Sequence, residues 1–308
     1  MAARIPFVRD FAFEYGRAAQ VTPMIRRVVA PNPGPFTFTG TGVYIIGHGE
    51  VAVIDPGPVM DEHVAALDAA LAGERVTHVF VTHSHMDHSP LAHPLAEKHG
   101  AKVYAGGPAI PTESEVRMEA GDDLRFRPDV TVRDGERFSG LDWTIEAIAT
   151  PGHTSNHFCF ALLEENAVFA GDHVMGWSTT VISPPDGDMG DYLQSLEKVR
   201  DRGFASLWPT HGPPVVEPSS FVQAYIDHRR MREHQILTEL EAGRTQIRDM
   251  VSVIYADVDR RLHPAACHSV LAHMMHLVET GRVACDGVPG IESAYALAPP
   301  AFARQLAE

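Results

Sequence analysis

The segment that decides the fold is Val79-Phe-Val-Thr-His-Ser-His-Met-Asp-His-Ser-Pro90. Its pattern H-x-H-x-D-H holds four potential metal ligands: His83, His85, Asp87 and His88. The apolar residues 76–82 before the motif are rich in β-branched side chains, which predicts a short strand buried on both faces. Ser89 and Pro90 favour a helix that begins directly after it, and Gly100 favours its end. The four ligands are therefore expected in a tight loop between a core strand and a helix, and neutral imidazole nitrogens suit zinc.

The composition is that of an acidic globular protein. Of the 308 residues, 44% are hydrophobic and 21% are charged, and the formal net charge is −15. This length allows one large domain and a small one. The negative charge disfavours nonspecific binding of nucleic acid. The longest apolar runs fall well short of the roughly 18 residues of a membrane span, so no membrane partner is expected.

The N-terminal segment and the cysteines predict where the protein resides. Residues 1–10 contain no apolar core followed by a cleavage site, so no secretory signal is expected. The 3 cysteines, an odd number, predict no disulfide framework and a cytoplasmic location. Each cysteine is expected to be a small core residue. Residues 1–24 receive no assigned role.

Further potential ligands follow three other predicted strands. Strands expected at residues 143–149, 167–170 and 205–208 end just before three such residues: His153, Asp172 and His211. Because four apolar strands all end at potential ligands, their side chains are expected to meet in a cleft at one edge of the structure. Other strands are expected at 25–30, 43–46, 51–54, 102–105, 130–132 and 158–163, and helices at 61–71, 192–202, 219–241 and 245–262.

These seven side chains suffice for two metal ions. Three histidines can form an open three-ligand zinc site: His83, His85 and His153. A second site can be formed by Asp87, His88 and His211, and Asp172 carries two oxygens that can bridge both ions. A hydroxide held between two such ions is nucleophilic near neutral pH, so the predicted reaction is hydrolysis. Asp87 and Asp172 are the carboxylates to which we assign a catalytic role.

Four motifs resemble the signature set of the metallo-β-lactamase superfamily: His-Ser-His-Met-Asp-His (83–88), Pro-Gly-His-Thr (151–154), Gly-Asp-His (171–173) and His-Gly-Pro (211–213). The resemblance implies an α/β (α+β) protein with a four-layer αββα sandwich. It also implies a dinuclear zinc centre, with two Zn²⁺ per chain and the same seven ligands. Ligands of the His and Asp type also accept manganese, iron or cobalt.

A longer resemblance is to the lactamase-beta-2-like branch, in Asn32-Pro33-Gly34-Pro35-Phe36-Thr37, in Gly40-Thr41 and in residues 245–283. That branch carries a small winged-helix-like appendage and includes a mitochondrial single-strand endoribonuclease. Its usual Gly-Thr-Asn-Thr-Tyr is replaced here by Gly40-Thr41-Gly42-Val43-Tyr44. The expected domains are a catalytic domain at 1–218 and a mostly helical winged-helix-like domain at 219–308.

The last predicted helix, from Pro264 to Thr280, contains no Lys or Arg. DNA-reading helices carry such side chains, so no DNA binding is expected and a packing or dimer-forming role is favoured. The histidines at positions 268, 273 and 276 are interpreted as core or surface residues, since no carboxylate or cysteine arrangement completes a further metal site.

Three functions remain open. The leading hypothesis is a cytoplasmic zinc hydrolase that acts on a small ester, thioester or lactone-like molecule. The alternative is a metal-dependent endoribonuclease that acts on single-stranded RNA, for which Arg117, Arg125 and Arg127 of a predicted loop at 108–128 would contact phosphates. A non-catalytic metal-binding protein is disfavoured, because structural zinc sites are normally closed by four protein ligands.

Overall fold

The structure is a computed structural model that describes residues 5–110 and 121–299. In this part of the chain, the first sheet has seven strands, which lie in sequence order across the sheet. They are β1 (Ala18–Gln20), β2 (Ile25–Val29), β3 (Gly42–Ile46), β4 (Glu50–Ile54), β5 (Arg75–Phe80), β6 (Lys102–Ala105) and β7 (Val130–Thr131). β4 to β7 pair in parallel, and the other pairs are antiparallel.

The second sheet has five strands within the described ranges, in the order β12-β11-β10-β9-β8. They are β8 (Arg137–Ser139), β9 (Thr144–Ala149), β10 (Phe158–Leu162), β11 (Ala167–Gly171) and β12 (Ser206–Pro209). Apolar side chains from both sheets, among them Phe80 and Phe160, form a shared core between them. The second sheet therefore faces the first, and the predicted sandwich of sheets is confirmed.

Helices cover both outer faces. They are α1 (Asp61–Ala70) and α2 (Ala92–His99) on the first sheet, and α3 (Met189–Asp201) and α4 (Pro218–Glu241) on the second. Parallel pairing of β4, β5 and β6 requires crossover connections, which α1 and α2 provide. The result is the expected αββα arrangement of layers.

The C-terminal part is a small, mostly helical module. It contains α5 (Ile247–Ile254), a short 3₁₀ helix (Arg260–Leu262), α6 (His263–Glu279) and a hairpin of β13 (Val283–Cys285) and β14 (Tyr295–Leu297). α4 contributes Phe221 to the core of the sandwich and Ile236 to the core of this module. Because one helix serves both cores, the domain border at 218/219 stays a prediction.

Several sequence predictions needed correction. α2 begins at Ala92 rather than Pro90, because the Ser89 hydroxyl donates to carbonyl oxygens within the motif loop instead of capping a helix. The helix does end at Gly100, whose φ of 68° favours glycine. The strand after residue 75 is fully buried only towards its end. The expected helix 245–262 is divided into α5 and the 3₁₀ helix, and β1, β8 and β14 were not predicted.

The structure also bears on the predictions for the cysteines, the 108–128 loop and membrane spans. The three cysteines form no disulfide, and Cys159 and Cys267 are buried as expected while Cys285 is partly exposed. The residues of the predicted 108–128 loop that the structure describes form no helix or strand. Arg117 lies outside the described residues. None of the described helices has the length and apolar character needed to cross a membrane.

Candidate metal centre

The four strand ends meet at one edge of the sandwich. The motif 83–88 follows β5, His153 follows β9, Asp172 follows β11 and His211 follows β12. All seven predicted ligands are buried, and the most exposed of them, His85, is only 8% exposed. Their donor atoms form three groups in which every atom lies within 4.8 Å of the others: His83, His85 and His153; His83, His88 and Asp172; and Asp87, His88 and His211. The structure thus brings all of these side chains together.

The first group consists of imidazoles alone. His83 Nε2 lies 2.9 Å from His85 Nδ1, and the rings of both residues are in edge contact with that of His153. Burial, together with the neighbouring His153, lowers the pKa of His85 to about 3. Burial and the neighbouring histidines also hold the pKa of His83 well below its ordinary value. The lowered pKa values of His83 and His85 favour the neutral imidazole, which is the form that binds a metal ion.

The second group combines a carboxylate with imidazoles. His211 Nε2 lies 3.1 Å from Asp87 Oδ2, and His88 Nε2 lies 3.6 Å from Asp87 Oδ1. Burial disfavours charge on His211, but the Asp172 and Asp87 carboxylates outweigh it and raise its pKa to about 10. Burial likewise opposes ionisation of Asp87, but His88 and His211 lower its pKa to about 2. The Asp87 carboxylate of this group is thus ionised.

Asp172 lies between the two groups. Its Oδ1 is 3.6 Å from His88 Nε2 and its Oδ2 is 3.5 Å from His211 Nε2. Although burial raises the pKa of a carboxyl group, His211 and His88 hold that of Asp172 well below its ordinary value. It also forms one of the close groups with His83, so its position matches the bridging role expected from the sequence.

Two buried polar atoms test whether a metal ion fits. His88 Nε2 and Asp172 Oδ1 have no hydrogen-bond partner among the described residues, and both point into the cluster. Buried polar groups are normally satisfied, so such atoms call for an unseen partner. Imidazole nitrogens and carboxylate oxygens are the donor set that divalent zinc, manganese, iron or cobalt accepts. The residues present therefore fit a divalent metal centre.

Asp55 is a functional residue that the sequence interpretation missed. Its carboxylate is completely buried at the end of β4 and accepts hydrogen bonds from the backbone N–H and hydroxyl of Thr82 and from the hydroxyl of Thr210. Its Oδ2 also lies 2.9 Å from His88 Nδ1. Asp55 therefore joins three strand ends and fixes the imidazole of His88. The same signal that identified the ligands, a polar residue directly after a buried strand, also marks Asp55.

Backbone carbonyl groups orient two more histidines. His153 Nδ1 lies 2.8 Å from the carbonyl oxygen of Val181, and His211 Nδ1 lies 3.2 Å from that of Gly40. A hydrogen bond at Nδ1 fixes the tautomer and leaves Nε2 as the ligand atom. Val181 belongs to the loop before α3 and Gly40 to the turn before β3, so these two segments shape the centre.

The arginine cluster expected to contact phosphates is only partly described. Arg127 donates to the carbonyl oxygens of Leu124 and Phe126 within its own loop. Arg125 is exposed and lines a cavity beside Met86 of the motif. The phosphate contacts of these side chains stay a prediction.

The histidines of α6 differ from the expectation in one respect. A carboxylate does accompany them: Glu233 Oε1 lies 2.7 Å from His276 Nδ1 and 3.8 Å from His273 Nδ1. Arg282 Nη1 contacts the other oxygen of Glu233 at 2.8 Å. Arg282 already neutralises Glu233, and no group of three ligands forms there among the described residues. The cluster is therefore an ion-pair network that joins α4, α6 and the residue before β13. His268 lies apart from it, 3.4 Å from the Ser183 hydroxyl.

An αββα sandwich with a buried His/Asp cluster at one edge defines the class of metal-dependent hydrolases. Sequence comparison agrees, since residues 37–211 match the metallo-beta-lactamase superfamily and residues 247–288 match the beta-lactamase associated winged helix domain. The chain belongs to the metallo-β-lactamase superfamily. The predicted superfamily, fold class and enzyme class are thereby confirmed.

Relatives and solved structures support this assignment. A beta-lactamase-like protein 2 homolog of Caenorhabditis elegans is 31% identical over 273 residues, which covers 86% of this chain and 87% of the relative. An atrochrysone carboxyl ACP thioesterase of Aspergillus fumigatus is 33% identical over 228 residues, 72% of this chain and 66% of the relative. A metallo-beta-lactamase family protein from Thermus thermophilus has the same fold, with a TM-score of 0.72, 23% identity and coverage of 90% of this chain and 99% of its own.

Proposed function

We propose that this protein is a dinuclear zinc hydrolase of small acyl compounds and that acyl thioesters are its substrate class. The observation that carries the proposal is the convergence of seven buried His and Asp side chains, with His88 Nε2 and Asp172 Oδ1 left without hydrogen-bond partners among the described residues. Relatives that bear the name thioesterase support the choice among ester, thioester and lactone.

The ligand assignment follows the three groups. His83, His85 and His153 would hold one ion and Asp87, His88 and His211 the other, with Asp172 between them. Divalent ions bound there would lower the pKa of a bound water molecule and polarise the carbonyl group of the substrate. Hydrolysis of a thioester forms an acyl C–O bond and breaks the C–S bond, which gives a carboxylate and a thiol.

The protein's own groups prepare this chemistry. Asp87 and Asp172 would offset part of the positive charge of two divalent cations. Asp55 fixes the orientation of the His88 ring through Nδ1, and the Val181 carbonyl group does the same for His153. Because these partners are buried and fixed before substrate binds, little reorganisation is needed during the reaction. Asp87 and Asp172 are thus proposed as catalytic carboxylates that act by holding the metal centre.

The experiment combines metal analysis with a thioesterase assay. Gently purified protein should contain about two transition-metal ions per chain, and it should cleave an acyl-N-acetylcysteamine thioester. Asp172→Ala should remove most activity while circular dichroism shows a folded protein. Asp142→Ala is the matched control, because Asp142 is an exposed carboxylate that contacts His48 far from the cluster.

Two outcomes would contradict the proposal. A metal content near zero at neutral pH would remove the proposed centre. Metal-loaded protein that leaves thioesters intact but cleaves single-stranded RNA, with an activity that falls steeply as salt is added, would show the endoribonuclease instead.

A further inference from the structure

A second cavity, separate from the metal ligands, lies between the edge strands of the two sheets. Its volume is about 290 Å³, and β1 and β12 border it. The N-terminal segment covers it, and its walls are mostly apolar: Phe11, Ala12, Phe13, Ala19, Val21, Val29, Trp208 and Pro214. This volume is at the lower end of the range for small-molecule sites.

Arg27 of β2 places a buried cation in the wall of this cavity. The side chain is only 5% exposed, and its Nη2 donates to the carbonyl oxygen of Gly212 at 2.8 Å. Its Nε is buried without a hydrogen-bond partner, and no carboxylate of the described chain forms an ion pair with it. The guanidinium lies over two aromatic rings, 4.9 Å from that of Phe11 and 5.6 Å from that of Tyr44.

A buried guanidinium without a counter-charge is unfavourable, because its loss of hydration is not offset by an anion. The aromatic rings and the Gly212 carbonyl group compensate only in part. The chain has 40 acidic residues against 25 basic ones, so it has no shortage of carboxylates that could have supplied a partner. The cavity beside Arg27 is therefore the natural place for an anion from outside the chain.

The other charged residues of the cavity wall are already engaged. Glu14 and Arg17 face each other, with Glu14 Oε1 3.4 Å from Arg17 Nε, and both side chains are largely exposed. They form a polar rim, and the buried end of the cavity contains Arg27 and apolar side chains.

We propose that this cavity binds a small carboxylate with an apolar, flat body. The carboxylate would accept hydrogen bonds from the Arg27 guanidinium, whose planar array of donors matches a carboxylate. The body would pack against Phe11, Phe13 and Trp208. Gly212, which Arg27 contacts, is the residue after His211.

The test compares 2-naphthoate with its neutral amide, 2-naphthamide, by isothermal titration of the metal-loaded full-length protein. The carboxylate is expected to bind at least about tenfold more tightly than the amide, the size of effect expected for a charge-assisted hydrogen bond. Arg27→Gln keeps an N–H donor but removes the charge, and it should abolish this preference.

A second variant blocks the cavity and leaves Arg27 intact. Ala19 lies directly opposite Arg27 in the β1–β2 pair, whereas Ala18 lies opposite Val28 on the other face. The added ring of Ala19→Phe should fill part of the cavity and displace naphthoate from its aromatic contacts. Naphthoate binding should therefore weaken about tenfold or more. Ala18→Phe makes the same chemical change on the same exposed strand, and we expect wild-type binding.

Three results would overturn the proposal. These are an absence of naphthoate binding, equal binding of the acid and the amide, and binding that is unchanged by Ala19→Phe but lost when the metal is removed. The last result would show that naphthoate binds at the metal centre. If Arg27→Gln fails to fold, the pair Ala19→Phe and Ala18→Phe decides the question alone.

Discussion

Replacement of Asp55 by Asn tests whether a buried carboxylate behind the metal ligands controls the metal centre. The change keeps the size of the side chain and removes its charge. Asp55 has a φ of 48°, a left-handed conformation that Asn tolerates better than most residues, so the backbone is expected to stay in place. Any effect then comes from the hydrogen bonds of the side chain.

The size of the effect follows from the four donors that meet this carboxylate. The amide oxygen of Asn can still accept from the Thr82 backbone N–H, but its NH₂ group faces the Thr210 hydroxyl and His88 Nδ1. The hydroxyl can rotate to accept, whereas His88 can accept only if its proton moves to Nε2. A proton on Nε2 would occupy the position at which His88 binds the metal ion. Loss of such an outer partner lowers metal affinity about 10–100-fold, which corresponds to about 1.4–2.8 kcal/mol.

Competition with a chromophoric chelator measures this affinity, and thermal unfolding of the metal-free proteins measures the effect on the fold. Asp142→Asn is the control, because Asp142 Oδ2 lies 3.0 Å from His48 Nδ1 in the same kind of contact but at the surface. We expect that control to match wild type in both measurements. Wild-type metal affinity in Asp55→Asn would refute the idea that Asp55 sets the tautomer of His88.

Three further outcomes are expected. Gly152→Ala should be strongly destabilising, since an added Cβ would lie within 2.5 Å of the Tyr192 backbone. Gly73→Ala has nothing within 4 Å of the added Cβ and should cost only about 1–2 kcal/mol for its positive φ. Equal melting temperatures for the two variants would contradict this. The Glu233 carboxylate raises the pKa of His276, so this pair stabilises the fold fully below pH 6.5 and less as the pH rises through the raised value. Glu233→Gln should therefore lower the melting temperature more at about pH 6 than at about pH 9, and a difference that does not vary with pH would refute the coupling. Chelation should lower the melting temperature of the wild-type protein and added zinc should restore it, because an ion that binds only the folded state stabilises it; an unchanged temperature would argue against a filled centre.

The sequence predicted which potential ligands would lie together because their signal is local. Each of the four ligand segments follows a short buried strand, and strand ends in a sandwich meet at a common edge. His83 and His211 could therefore be placed together although 128 positions separate them in the numbering. The αββα fold was predicted from the resemblance of the four motifs to the superfamily, whereas the strand ends by themselves indicated only a cleft at one edge of a sandwich.

The errors arose where long-range contacts replaced local preferences. Ser89 has the side chain of a helix cap, but the carbonyl groups of Ser84 and His85 in the motif loop take its hydroxyl. Asp55 received no role from the sequence, because only the pairing of β4 with β5 brings it to Thr82. The cavity at Arg27 depends on how the N-terminal segment lies over two sheet edges, which no local pattern encodes.

The helix α4 links the C-terminal module to the metal centre. Arg229 of α4 is buried and donates to the carbonyl oxygen of Thr180. The Thr180 hydroxyl in turn donates to the backbone oxygen of Asp172, and the next residue, Val181, orients His153. Because the same helix also supplies Ile236 and Leu240 to the core of the C-terminal module, that module stabilises the helix that holds two ligands in place.

Neighbouring arginines on α4 allow this connection to be tested. Arg230 is exposed and pairs with Glu197 at 2.8 Å, so Arg230→Met should leave metal affinity and thioesterase activity near wild-type values. Arg229→Met leaves the Thr180 carbonyl oxygen without its donor, and we expect metal affinity to fall about tenfold as the loop that holds His153 loosens. Circular dichroism should show both variants folded. If the two variants bind metal equally well, Arg229 serves only the packing of α4, and the C-terminal module has no part in ordering the centre.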